Sequence, residues 1–109
     1  CVLLEFPVAY EADLNLVFRI VEEQALKHPY YIDNRAPDEL ERGEKSVMVR
    51  VIGLNDLNVQ VRGWIWTRNA VEAFILKCDL MRSIKEELMK AGVPAPYPHR
   101  VIVPANSNA

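Results

Sequence analysis

Cysteine is scarce in this chain: there are two, Cys1 at the terminus and Cys78 inside a helical stretch. That spacing makes neither a zinc site nor a disulfide framework, and reduced thiols fit a cytosolic setting. The four glycines are scattered, which excludes a glycine-rich phosphate cradle leading into a helix. The two histidines, His28 and His99, each lack a second ligand at helical spacing, so no metal centre is indicated. There is no basic surplus either. Thirteen Lys and Arg face fifteen Asp and Glu, for a net charge of -2, and this lacks the electrostatic footprint of a nucleic-acid binder. No apolar run approaches the roughly 18 residues that span a bilayer. An initiator methionine and a signal peptide are also missing, and a strand-like run begins at once at Val2. The expectation is therefore a fragment whose upstream part, including any membrane segment, lies elsewhere.

What is present suits one small domain. At 109 residues, half of them apolar, the chain buries enough surface for a core without metal or disulfides. Val2, Leu4, Phe6 and Val8 alternate onto one face of a first strand over Val2 to Tyr10. Pro7 gives no ladder bond and marks an irregular or unpaired spot. A helix follows from the N-cap candidate Asp13 to His28, with Leu14, Val17, Val21 and Ala25 on one stripe and Leu16 and Ile20 beside it. Pro29 ends it, and His28 at its C-terminus is explained by the macrodipole. A long charged connection holds a short irregular strand around Tyr30 to Ile32 in this reading. Two clear strands, Ser46 to Leu54 and Asn58 to Thr67, make a hairpin around the turn at Asn55, Asp56 and Leu57. Val47, Val49 and Val51 share one face of it, as do Val59, Val61 and Ile65.

Asn69 and Glu72 read as a capping-box analogue opening a second long helix. Val71, Phe74, Ile75, Cys78, Met81, Ile84 and Leu88 form its expected core stripe, with Cys78 as a small hydrophobe, and Gly92 closes it as a C′ residue. Pro94, Pro96 and Pro98 favour an extended segment before a short apolar run, Val101 to Val103. The order β-α-β-β-α, with one further strand at the end, predicts an α+β two-layer sandwich. This is the ferredoxin-like split β-α-β arrangement, two helices on one face of an antiparallel sheet with a C-terminal extra strand. The expected division is residues 1–95 as the sandwich and 96–109 as connector, terminal strand and polar tail. Val17, Val49, Val61 and Phe74 are expected in the core.

No catalytic constellation emerges, and no cofactor is called for. The sheet face turned away from the helices is more informative. Met48, Ile52, Trp64 and Trp66 form an apolar patch there beside Arg50, Arg62 and Glu5. One reading is a half-exposed surface on which Glu5 neutralises an arginine across strands. The other is a subunit contact, since Trp and Arg are enriched in interface hot spots. RNA binding on such a face needs aromatic and basic residues together, but the characteristic RNA-binding strand motif is absent and the charge balance is acidic.

Three stretches, in order, resemble the small-conductance mechanosensitive channel (MscS-like) family. They are Val8-Ala9-Tyr10-Glu11-Ala12-Asp13-Leu14, Val61-Arg62-Gly63-Trp64, and Ala91-Gly92-Val93-Pro94-Ala95-Pro96-Tyr97-Pro98. Gly63 departs from the family, which often has a larger apolar residue there. The resemblance implies the C-terminal cytoplasmic domain of a homo-oligomeric, typically heptameric channel of the bacterial inner membrane. Such a channel opens under tension and releases solutes on hypo-osmotic shock, and its C-terminal domains form a hollow cage. The implied partners are copies of the chain itself, with the membrane reached only through the missing N-terminal part and no nucleic acid involved. The candidate interface comprises Met48, Ile52, Arg62, Trp64, Trp66, Pro96, Tyr97, Pro98, Val101 and Val103. The terminal strand is expected to pair with other subunits, because alternating prolines limit pairing within the parent sheet. The competing reading is a free-standing or fused small-molecule-sensing domain of the same fold, binding a metabolite at a dimer interface.

Overall fold

In the computed structural model, which describes residues 1–94, the chain runs β1 (Val2–Ala9), α1 (Leu14–Lys27), α2 (Pro37–Glu41), β2 (Met48–Leu54), β3 (Asn58–Ile65) and α3 (Ala70–Lys90). The strands form an antiparallel sheet in the order β1-β3-β2, so β3 is central. Alternation along β1 and β3 buries Val2, Leu4, Val8, Val59, Val61 and Ile65 against the helices. Val61 has no exposed surface, whereas Arg62 keeps about a third of its side chain in solvent (30%), which settles the register. With α1 and α3 both packed on the inner face, the architecture is the α+β, ferredoxin-like two-layer sandwich that the element order predicts.

The helix ends follow their local chemistry. Asp13 caps α1, its Oδ1 accepting from the backbone N–H of Asn15 at 3.1 Å and of Leu16 at 3.4 Å. Val17, Ile20, Val21 and Ala25 are buried along one stripe of α1. Asn69 caps α3 by accepting from the Glu72 N–H at 2.8 Å, while the Glu72 carboxylate turns to the Arg68 guanidinium at 2.5 Å. At the other end of α3 the Gly92 N–H donates to the Met89 carbonyl and the Val93 N–H to Leu88, with Gly92 at φ +75°. That pair of bonds is a Schellman motif, and glycine takes the left-handed angle without a Cβ penalty.

α3 corrects the expected core. Its buried residues are Leu76, Leu80 and Ile84, with Ala73 and Leu88 packed against the clusters. Phe74 is 69% exposed, and Val71, Ile75 and Met81 also face solvent, as does Cys78. Both faces are apolar in sequence, but only one is unbroken. Ala73, Leu76, Leu80, Ile84 and Leu88 recur every three or four residues along the whole helix. The opposite stripe is interrupted by Arg82 and Lys85, whose burial would strand unpaired charge.

Two smaller expectations also change. Val49 is only partly buried and Val51 is exposed, because β2 is an edge strand whose register slips at Ile52, between Val51 and Gly53. Around Tyr30 to Ile32 there is no strand. The Ile32 N–H still donates to the Trp66 carbonyl at 3.0 Å, so one bond ties the connection to the end of β3. The connection also contains α2, with Pro37 at its first turn and the Glu39 carboxylate accepting from the Ala36 N–H at 2.7 Å.

The connection carries its own polar clasp. Arg35 grips Asp33 through Nε at 2.9 Å and Nη2 at 2.6 Å, and its Nη1 donates to the Glu44 carbonyl at 2.9 Å. The Arg35 side chain and N–H hold the Asp33 carboxyl at about 2, down from an ordinary 3.8. Tyr31 and Ser46 hydrogen-bond through their hydroxyls nearby. His28 does more than face a dipole. Its Nδ1 accepts from the Tyr30 N–H at 3.1 Å, and its Nε2 meets Asp79 Oδ2 of α3 at 2.8 Å. An accepting Nδ1 puts the ring proton on Nε2, where it donates to Asp79 and joins the two long helices.

Candidate subunit interface

The open side of the sheet is built in rows, because antiparallel partners stand directly opposite and their side chains share a face. Leu3 of β1, Trp64 of β3 and Met48 of β2 form one row across all three strands. The adjacent row is Glu5, Arg62 and Arg50. Leu3 and Met48 are exposed at 44% and 41%, as expected for a face that neither long helix covers. Trp64 is half-buried between them.

The polar row organises the apolar one. Arg62 reaches Glu5 through Nη2 at 2.5 Å and Nε at 2.7 Å, while its guanidinium lies over the Trp64 ring, 5.5 Å from the centroid. A planar cation held by a carboxylate on one strand and stacked on an indole restricts that ring's rotamers. The cross-strand neutralisation expected of Glu5 is thus present. The structure gives Arg50 no such partner among the described residues, and it stands exposed at the β2 edge.

Of the other expected interface residues, Ile52 sits at the β2 register slip and is exposed. Trp66 falls one residue beyond the end of β3, exposed in side chain but anchored through its carbonyl. Pro96, Tyr97, Pro98, Val101 and Val103 lie outside the described residues. Leu3 belongs with the patch and escaped the sequence reading. Its signal was the alternation of β1 itself, which turns Leu3 outward as surely as it turns Leu4 in. Val71, Phe74, Ile75 and Met81 of α3 are exposed as well, on the helix layer and apart from this sheet face.

The patch has a fixed apolar centre and a paired charge at its flank, and it has no reactive group. Among the described residues no three His, Cys, Asp or Glu gather as metal ligands, and no helix is long and apolar enough to cross a membrane. What the face can do chemically is bury itself against another protein surface, with aromatic and Arg side chains as anchors.

Comparison with known proteins places the chain. Residues 2–95 match the family model for the C-terminal part of the mechanosensitive ion channel MscS. An uncharacterized MscS family protein of Archaeoglobus fulgidus is 32% identical over 96 residues, which is 88% of this chain. The chain spans 29% of the length of that relative. That family is one of membrane channels and not of enzymes. The chain belongs to the MscS family of mechanosensitive ion channels, of which residues 2–95 are the C-terminal domain.

Proposed function

We propose that this domain is the cytoplasmic, cage-forming part of a channel subunit that releases solutes on hypo-osmotic shock. The subunit assembles with copies of itself, seven in the completed channel, in the cell inner membrane. The pore and the tension sensor belong to the rest of the subunit. The domain contributes a rigid block whose open sheet face contacts a neighbour. The match of residues 2–95 to the channel family carries the reading, and the uncovered Leu3–Trp64–Met48 row supplies the contact. Beyond the sandwich, residues 96–109 supply a connector and a short strand, Val101 to Val103, that pairs between subunits.

The test uses the full-length subunit in a host lacking its own tension-gated channels. Membrane patches should show currents that open with applied suction, and cells should survive a sudden drop in external osmolarity. Patches silent at all tensions up to rupture would contradict the proposal.

A further inference from the structure

A closed ring of more than two identical copies cannot be made from one patch meeting itself. Each copy needs two different surfaces, one fitted to the other. The open sheet face supplies the first, with Trp64 held under Arg62 between Leu3 and Met48. The helix layer carries an uncovered apolar surface of its own. Along α3, Val71 and Phe74 are 70% and 69% exposed, and Ile75, Cys78 and Met81 continue the stripe. Apolar side chains this open to water gain by burial, and such a patch marks a contact surface. The stripe is turned away from the side of α3 that buries Leu76, Leu80 and Ile84. The two surfaces therefore belong to opposite layers of the sandwich.

From this we infer that the α3 stripe of one copy docks on the open sheet face of the next, as the second half of the subunit contact. The inference rests on the proposed ring of identical subunits. The two surfaces match in length. Phe74 to Met81 covers about 10 Å along the helix axis, and the row from Leu3 to Met48 crosses the sheet in about 10 Å. Cys78 sits midway along the stripe and so comes over Trp64, midway along the row.

Charge fixes which way the helix lies. The apolar row has the polar row beside it, where Glu5 compensates Arg62 and Arg50 is left exposed. The flank of the α3 stripe toward α1 carries Asp79 and Glu86, each with more than half of its side chain in solvent, with Arg82 between them. The opposite flank carries Lys77 and Lys85. Laying the carboxylate flank over the polar row brings acidic groups toward Arg50, whereas the reverse sets lysines on arginines. The stripe is poorly suited to meeting itself. An antiparallel pair of α3 helices related by a two-fold axis puts the Lys77–Lys85 flank against its own copy.

Cross-linking in the full-length subunit tests the pairing. Every cysteine except Cys78 is replaced by serine, and either L3C or M48C is added, at the two exposed ends of the sheet row. Because each copy then carries both partners, a short bis-maleimide should join the ring into a ladder of dimers, trimers and longer chains on a denaturing gel. C78S should abolish that ladder. A ring of the parent's native mass that gives no ladder with L3C or with M48C would overturn the inference and leave the channel reading standing. Cross-links formed by Cys78 alone and stopping at dimers would overturn it too, by showing that the stripe meets itself. A subunit that forms no ring by native mass would remove both.

Discussion

Arg62 and Glu5 face each other across β3 and β1 at 2.5 Å, and the same guanidinium lies over Trp64. The pair is 30% and 37% exposed, so water screens much of its attraction. Its value lies more in holding Trp64 than in stabilising the fold. A double-mutant cycle with E5Q and R62Q should give a coupling of about 0.2–1 kcal/mol in urea unfolding. A coupling of several kcal/mol would show a far drier environment than the sheet face provides.

The phase of α3 is open to a direct comparison. L80A removes a side chain with 2% of its surface exposed and should cost about 2–5 kcal/mol. F74A and M81A, on the exposed stripe, should fall within about 0.5 kcal/mol of the parent in the isolated chain. If F74A proves as costly as L80A, the helix is rotated from the position described.

Gly63 is a buried glycine in the central strand, and a Cβ there would lie 3.5 Å from Val21 Cγ1, an ordinary packing distance. The backbone entropy of glycine therefore has no steric compensation at this site. G63A should raise stability by about 0.4–1 kcal/mol, read as an increase in the unfolding midpoint. G63L should lower it, because the larger side chain must displace Val21. A destabilising G63A would mean that β3 and α1 pack more closely than this.

Asp33 provides the pH dependence. Its folded-state value of about 2 lies below its ordinary 3.8, chiefly because of Arg35. A depressed carboxyl contributes stability that is fully present above the ordinary value and is lost as pH falls toward 2. Carboxyl NMR should show Asp33 titrating near pH 2, and R35A should return the midpoint close to 4. An Asp33 midpoint already near 4 in the parent chain would show that the clasp does not persist in solution.

Much of this architecture was legible because its signals are local. Period-two alternation placed Leu4, Val8 and Val61 inward, Asp13 and Asn69 announced helix starts, and Gly92 announced a stop. α3 was misread because two apolar stripes compete there, and helical periodicity alone does not choose between them. The interruption by Arg82 and Lys85 was the deciding signal, and it is electrostatic. The slip at Ile52 was illegible because a bulge depends on the partner strand. Of the candidate interface, the Arg62–Trp64 spacing was visible in sequence, but the place of Leu3 in the same row needed the β1–β3 register.

The central claim is that the open sheet face joins subunits of a channel. It is tested most directly by the native mass of the full-length protein in detergent, with and without W64S and M48S together. The parent should run as a single ring of identical subunits. The double variant should shift toward smaller species while its isolated C-terminal chain keeps the parent's helix content and unfolding midpoint within a few degrees. An unchanged ring in the double variant, with the domain still folded, would contradict the assignment of this face as the contact.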